Sequence, residues 1–485
     1  MGVKITAPTR EELLELCRQN PEAVVQLIES LAATIKALEE RVQQFEAQLK
    51  QDSHNSHKPP SSDGLKRITK NVRPKSTRLP GGQEGHKGST LKMVASPDRV
   101  VHHTVRACTA CGRSLKRVKA RSYRRRQVFD IPEPRLEVTE HQCEVKECPD
   151  CGRTITASFP AGVTKAAQYG NTIKSIGTYL MQYQLVPSER TQAALQDLFA
   201  CSVSEGTLFN WANDLHASLE SHEQTVKEQL IKAPVLHNDE TGLFCQQKLQ
   251  WLHVASTPTL THLQVHPKRG TQAMDAIGIL PEFTGTAIHD SWKPYFAYAC
   301  GHSICNAHLI RELTFAHEQD HQRWAKRFSE LLLRINDKVE DARQQNQAAL
   351  APRTLRHFER QYDTLLARGL RSNPRQRGSP HRRGRKKQTK TRNLLERLRD
   401  HPRAVLAFMY DFRVAFTNNQ AERDLRMAKV KQKISGTFRS AQGAEIFCRI
   451  RGYISTACKN GLSAFDAVSR ALAGNPFIPA INYAE

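Results

Sequence analysis

The sequence predicts a multidomain α/β chain in which helices precede and interrupt a core of β-strands. Three observations predict it. Strand-like apolar runs occupy 235–244, 249–256 and 261–266, and after a short helical pattern a fourth run ends at Asp290. Residues 24–49 carry an apolar heptad seam, the period of a long helix. Two CxxC pairs, Cys108/Cys111 and Cys148/Cys151, mark a small unit between the two. At 485 residues the chain has length for several domains with real cores.

Composition bounds the partners. Lysine and arginine number 72 against 48 acidic residues, a formal charge of +24. Such an excess favours a polyanion, and nucleic acid over a membrane surface. Twelve cysteines that include two clean CxxC pairs indicate metal binding in a reducing compartment rather than disulfides. No apolar run approaches the ~20 residues needed to cross a bilayer. The first residues lack a signal-peptide core, and the loose myristoylation match at Met1–Thr6 reads as chance. The expectation is a cytoplasmic, nucleoid-associated protein with no membrane partner.

Residues 10–50 are expected to form a coiled coil. Val24, Ile28, Leu31, Ile35, Leu38, Val42, Phe45 and Leu49 step by alternating four and three, and such a seam calls for a homo-oligomer. Its alternative is an amphipathic helix docked on its own protein. Residues 51–100 have little to bury and read as a flexible basic linker. Residues 101–160 are expected to bind zinc. Cys108, Cys111, Cys148 and Cys151 are each in a CxxC followed by glycine, which permits a tight turn presenting two thiolates, and two such turns supply the four sulfurs of a closed structural Zn²⁺ site. A β-rich insert around Arg124–Ile131 is expected between the pairs, and Cys143 is a fifth, surplus thiol. Residues 165–225 read as helical. A helix at 190–199, a turn and a second helix N-capped by Ser204 resemble a helix-turn-helix, with Thr207, Asn210 and Trp211 along the second helix and Thr207 and Asn210 as candidate DNA contacts.

The region 233–440 carries the chemistry. Three strands, a helix and a fourth strand is the order of a ribonuclease H-like core, in which the first and fourth strands are neighbours. That order would put Asp239 beside Asp290, with Glu240 facing the opposite way by strand alternation. A third acid, Glu422, opens a helical pattern followed by Arg423, Arg426, Lys429, Lys431 and Lys433, cations suited to phosphates. Three acids at the ends of separate elements in so basic a chain point to Mg²⁺ or Mn²⁺ acting on phosphodiesters, because hard cations take oxygen ligands. Between Asp290 and Glu422 a helical insertion is expected at about 300–415, with Trp324 at its start as a core residue or a base-stacking one. The tract 371–392 within it holds ten Lys or Arg and no acid, and Arg382, Arg383 and Arg385 are candidate DNA contacts. Cys305-x-x-His308 is either a metal half-site or a support for the core. A helical segment is expected over 441–485.

The stretches Asn55–Gly64, Gly81–Gly88, the paired CxxC, Asp239-Glu240-Thr241, His289–Tyr295, Asn306–Leu313, Asn418–Arg426 and Gly436–Arg439 together resemble the large transposase of the insertion-sequence sixty-six family, a bacterial DDE transposase. The resemblance implies a zinc-binding DNA module, a ribonuclease H-like core with a helical insertion, and catalytic acids at Asp239, Asp290 and Glu422. It also implies transposition of an element whose ends the protein binds, joining to target DNA, and accessory proteins from the same element. The basic tract at 371–392 and Cys143 have no counterpart in it. Two other readings use the same features: a non-catalytic DNA-binding regulator and a structure-selective nuclease.

Overall fold

The computed structural model describes residues 9–49, 51, 55–56, 91–376 and 387–480. Most of the expected linker and all of Arg382, Arg383 and Arg385 lie outside them. Two compact units are present: one comprises Asn71–Ala166 with Gln192–Val203, the other the remainder. No helix among the described residues is long and apolar enough to cross a membrane.

Helices α1 (Arg10–Gln19) and α2 (Pro21–Leu49) come first. Within one chain the α2 seam faces solvent, with Ile28, Leu31, Ile35, Leu38, Val42 and Phe45 each more than half exposed. In the smaller unit β1 (Val145–Glu147) pairs antiparallel with β2 (Thr154–Thr156). Residues 124–131, expected in a β-rich insert, form no strand, and Val128 and Ile131 are almost wholly exposed. Apolar and β-branched residues alone do not make a strand where no partner strand accepts the backbone.

The larger unit continues with α3 (Asn171–Thr178), which runs on through a π turn at Tyr179–Tyr183; α4 (Ser188–Phe199) begins in it but belongs from Gln192 on to the smaller unit, and the larger unit resumes with α5 (Glu205–Ser218) and α6 (Glu220–Ile231). Ser204 caps α5 by accepting the Thr207 N–H at 3.1 Å. Trp211 on α5 is buried, edge-on to Tyr169 and pressed so close to Gly177 that a Cβ there would lie 2.9 Å from its ring. It is a packing residue.

A five-stranded sheet follows: β3 (Val235–Cys245), β4 (Lys248–Ser256), β5 (Thr261–His266), β6 (Thr286–His289) and β7 (Gly301–Ile304), in the order β5-β4-β3-β6-β7. The first three form an antiparallel meander, with Gln246 and Gln247 both at positive φ in the two-residue β3–β4 turn. Helix α7 (Thr271–Ile277) carries the crossover to β6, which runs parallel to β3. Gly285 permits the close approach, since a Cβ there would lie 2.6 Å from the carbonyl oxygens of both Ala233 and Pro234. The edge strand β7 occupies residues that the sequence pattern assigns to the helical insertion.

That insertion comprises α8 (Asn306–Glu318), α9 (Arg323–Gln344), α10 (Pro352–Ser372), α11 (Lys390–Asp400), α12 (Pro402–Val405) and α13 (Ala407–Tyr410). Its core of Phe328, Leu331, Leu332, Ile335, Leu395 and Leu398 is continuous with Val235, Ile288 and Ile304 of the sheet. Trp324 is buried in it, with its indole N–H on Gln322. Three helices close the chain: α14 (Asn419–Ser435), α15 (Ala441–Lys459) and α16 (Ala464–Leu472). One sheet face packs Leu243, Leu252, Val254 and Leu263 against α14 and α15, and the other packs Leu236, Ala255 and Ala287 against α6 and α7. Adjacent Val254 and Ala255 serve opposite faces, as the pleat requires. The sheet is therefore covered on both sides.

Candidate active site

The parallel pairing sets the register of two acids. Val235 lies opposite Thr286 and His237 opposite Ile288. Carried two residues on, the same offset puts Asp239 level with Asp290, which follows the end of β6. Asp239 Oδ1 accepts the Glu240 N–H at 2.9 Å, and Asp290 Oδ1 accepts the Trp292 N–H at 2.9 Å. Each carboxylate is thus oriented by backbone while keeping an oxygen for another partner.

Glu422 arrives from α14, in its first turn, where the positive end of the helix dipole favours an acid. The helix is strapped to β3 at both ends. At its start Asn418 donates from Nδ2 to the Asn238 carbonyl at 2.7 Å, and its Oδ1 lies 3.0 Å from His237 Nδ1. Past its end Phe438 donates to the Phe244 carbonyl at 3.0 Å and accepts from Gln246 N–H at 2.9 Å. The 17 residues of α14 span about 25 Å, and seven strand steps from Asn238 to Cys245 span about 23 Å. Helix and strand match in length, so fixing both ends fixes where Glu422 stands.

The electrostatics separate these three acids from their neighbours. Burial pushes the Asp239 carboxyl well above the usual range, and the charges of Glu240, Asp290 and Glu422 push it further. Glu240 does face the other way. Arg269 donates to its Oε1 from Nε and Nη2, at 2.9 and 2.7 Å, and the Tyr295 hydroxyl donates to its Oε2. The Arg269 guanidinium is sandwiched between the Trp251 and Trp292 rings, 4.7 and 4.0 Å from their centroids. Asp424 is likewise taken, by Lys459 Nζ at 2.9 Å. Among the described residues no Lys or Arg pairs with Asp239, Asp290 or Glu422, although the chain carries an excess of 24 positive charges. A carboxylate set without cations, in a basic chain, fits divalent metal ions. Its all-oxygen donors suit Mg²⁺ or Mn²⁺.

Of the cations that follow Glu422, Arg423, Arg426, Lys429 and Lys433 are exposed and Lys431 is half-buried. Lys429 also donates to the Gly242 carbonyl at 2.7 Å, which adds a tie between α14 and β3. Asn210 is exposed and Thr207 half-buried, its hydroxyl 2.9 Å from that of Ser204.

In the smaller unit the two CxxC turns have one geometry. Cys108 N–H donates to the Arg113 carbonyl and Gly112 N–H to the Cys108 carbonyl. Cys148, Gly152 and Arg153 repeat the pattern. Gly112 and Gly152 have φ of +74° and +67°, the left-handed conformation that glycine adopts without strain. Backbone N–H groups and the second thiol of each pair lower the Cys108 and Cys148 pKa values, which favours the thiolate that zinc requires. The thiols are arranged as two pairs, and no three of them lie within 4.8 Å of one another. Cys143 is half-buried.

A family model described as Transposase IS66 family matches residues 168–446. The chain belongs to that family. A second model, the zinc-finger binding domain of transposase IS66, matches residues 106–152 and so begins and ends around the two CxxC turns. A third, a family of unknown function (DUF6444), matches residues 7–92. A comparison with curated proteins finds no match. Membership makes the chain a transposase with a DNA-binding zinc finger. The transposase match covers the sheet, the insertion and all of α14, and thus Asp239, Asp290 and Glu422.

Sequence reasoning missed the residues that hold this site together. Asn418, His237 and the Glu240–Arg269–Tyr295 group were legible only as polar residues near acids. The one available signal was His237 and Asn418 flanking the acids in otherwise apolar or helical patterns.

Proposed function

We propose that the chain is a DDE transposase that binds the ends of its own element, cleaves there, and joins the freed 3′-ends to target DNA. The observation that carries this reading is the level placement of Asp239 and Asp290, with Glu422 brought in by α14, all three without a Lys or Arg partner among the described residues while Glu240 and Asp424 are paired. The sheet order β5-β4-β3-β6-β7, an antiparallel meander extended by two parallel strands, supports a ribonuclease H-like core. Asp239, Asp290 and Glu422 would hold two Mg²⁺ or Mn²⁺ ions, and ions bound there activate a water or 3′-hydroxyl and stabilise the leaving oxygen. Asp239, whose pKa is raised by burial first and by its acidic neighbours second, must lose its proton before it can ligate. Asn418 holds the start of α14 in place, and Arg423, Arg426, Lys431 and Lys433 neutralise the incoming phosphates.

Cys108, Cys111, Cys148 and Cys151 bind one structural Zn²⁺ and with it shape a DNA-contacting finger. The α4–α5 pair serves as a helix-turn-helix through Thr207 and Asn210, and Arg382, Arg383 and Arg385 extend the DNA path. The exposed α2 seam joins copies of the chain as a coiled coil, and accessory proteins of the same element complete the complex.

The test uses DNA from the flanks of the gene, with Mg²⁺ or Mn²⁺, and compares the intact chain with Asp290→Ala. Metal-dependent cutting and joining at a flank junction, lost in the variant, is the expected result. Cutting of branched DNA without joining would make the chain a nuclease. Binding with no cut under any divalent metal, even when the proteins encoded beside the gene are added, would leave a regulator.

A further inference from the structure

Cys305 is the residue that caps α8, and His308 lies in the first turn of that helix. The Cys305 thiol, a ring nitrogen of His308 and a carboxylate oxygen of Glu422 all lie within 4.8 Å of one another, and among the described residues no other group of three such donors does. Glu422 Oε1 is buried and accepts no hydrogen bond among the described residues, while His308 Nε2 faces it at 3.6 Å.

The sulfur sits in a backbone cradle. Cys305 Sγ accepts the Asn418 N–H at 3.1 Å, and the N–H groups of Ala307 and His308 also point at it. The zinc-finger turns hold their first sulfur in the same way: Cys108 by the N–H groups of Ala110 and Cys111, Cys148 by those of Asp150 and Cys151. In all three places the donors stand two and three residues after the cysteine. The same placement of two N–H donors around a cysteine sulfur thus occurs three times in the chain, the third time at a helix start and within a CxxH. Burial pushes the Cys305 thiol up to about 11, unlike the first thiols of the finger, so its proton leaves only as a cation binds, and the helix dipole at the start of α8 favours the thiolate that then forms.

We propose that Cys305, His308 and Glu422 form a second zinc site, separate from the finger, which shares Glu422 with the acidic group. One sulfur, one nitrogen and one oxygen donor suit Zn²⁺ and exclude a preference for Mg²⁺ or Ca²⁺, which take oxygen alone. Three protein ligands leave a fourth position open to water or to a phosphate oxygen. A zinc ion here draws Glu422 Oε1 towards α8, so zinc beyond what the finger needs inhibits the Mg²⁺-supported reaction. That consequence rests on the function proposed above, whereas the site does not.

The test is the zinc content of the full chain after equilibration with Zn²⁺ and removal of the unbound ion. About two ions per chain are expected, one of them the finger's. Cys305→Ser and His308→Ala should each fall to about one, whereas Cys108→Ser should lose the other. Titration with Cd²⁺ gives an independent reading: the finger's thiolates absorb in both chains, so Cys305→Ser should lose only the final increment of thiolate-to-metal absorption, the part that belongs to a site with one thiolate, and His308→Ala should weaken the same increment. If burial of Cys305 makes Cys305→Ser unfold, His308→Ala at its half-buried position carries the test. One ion in the intact chain, or two that survive both variants, overturns the proposal. A fall from two to one in a chain that never cuts DNA would keep the site and remove the transposase chemistry. Metal-dependent cutting with an unchanged zinc content would do the reverse.

Discussion

Asn418→Ala is the sharpest probe of how the site is held. The Asn418 side chain is buried and makes two hydrogen bonds to β3, to the Asn238 carbonyl and to His237 Nδ1. Since its Nδ2 donates to Asn238, its Oδ1 must be the acceptor, so His237 carries its proton on Nδ1. Burial lowers the His237 pKa, which favours the neutral ring, and the hydrogen bond to Asn418 selects its tautomer. Truncation leaves a buried carbonyl and a buried ring N–H without partners, at about 1–3 kcal/mol each. The backbone bond from Asn418 to Cys305 survives, so a total near 3 kcal/mol is expected.

Tryptophan fluorescence is the suitable assay. All four tryptophans, Trp211, Trp251, Trp292 and Trp324, lie in the larger unit, so the signal reports on that unit alone. With a urea slope of about 3 kcal/mol/M or more, the midpoint should fall by up to about 1 M. Asn419→Ala, at the exposed next position, should move it little. The Mg²⁺ concentration for half-maximal cleavage should rise in Asn418→Ala, because Glu422 loses its anchor one turn away. An unchanged midpoint together with an unchanged metal requirement would refute the strap between α14 and β3.

Two further outcomes follow from the same geometry. Because the Asp239 pKa is raised on folding, the folded chain holds a proton that the unfolded chain releases, so this group costs stability increasingly as pH rises from about 4 through its folded value. Asp239→Asn should therefore melt higher than the intact chain at pH 8 without divalent ions and equally near pH 3, and Mg²⁺ should stabilise only the intact chain; a variant that melts lower at pH 8 would count against the like-charge cluster. Placing lysine at both Ile35 and Leu38, exposed seam positions of α2, should convert oligomer to monomer in sedimentation while leaving the tryptophan melt unchanged, and an oligomer that persists would assign association to another surface.

What could be read in the sequence depended on range. The strands β3, β4 and β5 were legible as apolar runs bounded by turn residues, and Asp290 because it closes such a run, whereas Asp239 stands fifth of the eleven residues of β3, inside the strand rather than at its end. The edge strand β7 has only four residues, Gly301-His302-Ser303-Ile304, too few to show a period, so it was taken into the insertion. Residues 124–131 include strand-favouring Val128, Phe129 and Ile131 but have no neighbouring strand, and pairing rather than composition decides. Asn418 was opaque for a different reason: its partners lie 181, 180 and 113 residues away in the chain. The same limit applied to Cys305 and His308, a half-site on paper whose third donor, Glu422, comes from the far side of the insertion.

That insertion explains how acids so far apart in the chain can share one site. It leaves the core just after β7 and returns just before α14, and its ends are clasped together. Asn306 N–H donates to the Phe416 carbonyl at 3.1 Å, Asn418 N–H donates to Cys305 Sγ at 3.1 Å, and Arg343 from α9 donates to the Phe412 carbonyl. Because the entrance and exit meet, everything between them is a closed excursion whose length adds little entropic cost to the core, roughly 0.6 kcal/mol per doubling. The insertion can then carry its own apolar core and its basic tract without moving Glu422. The residues that join its two ends, Cys305 and Asn418, also touch on Glu422, whose N–H donates to the Asn418 carbonyl at 3.3 Å and whose carboxylate lies within 4.8 Å of the Cys305 sulfur, so the clasp that closes the excursion is the same structure that positions the third acid.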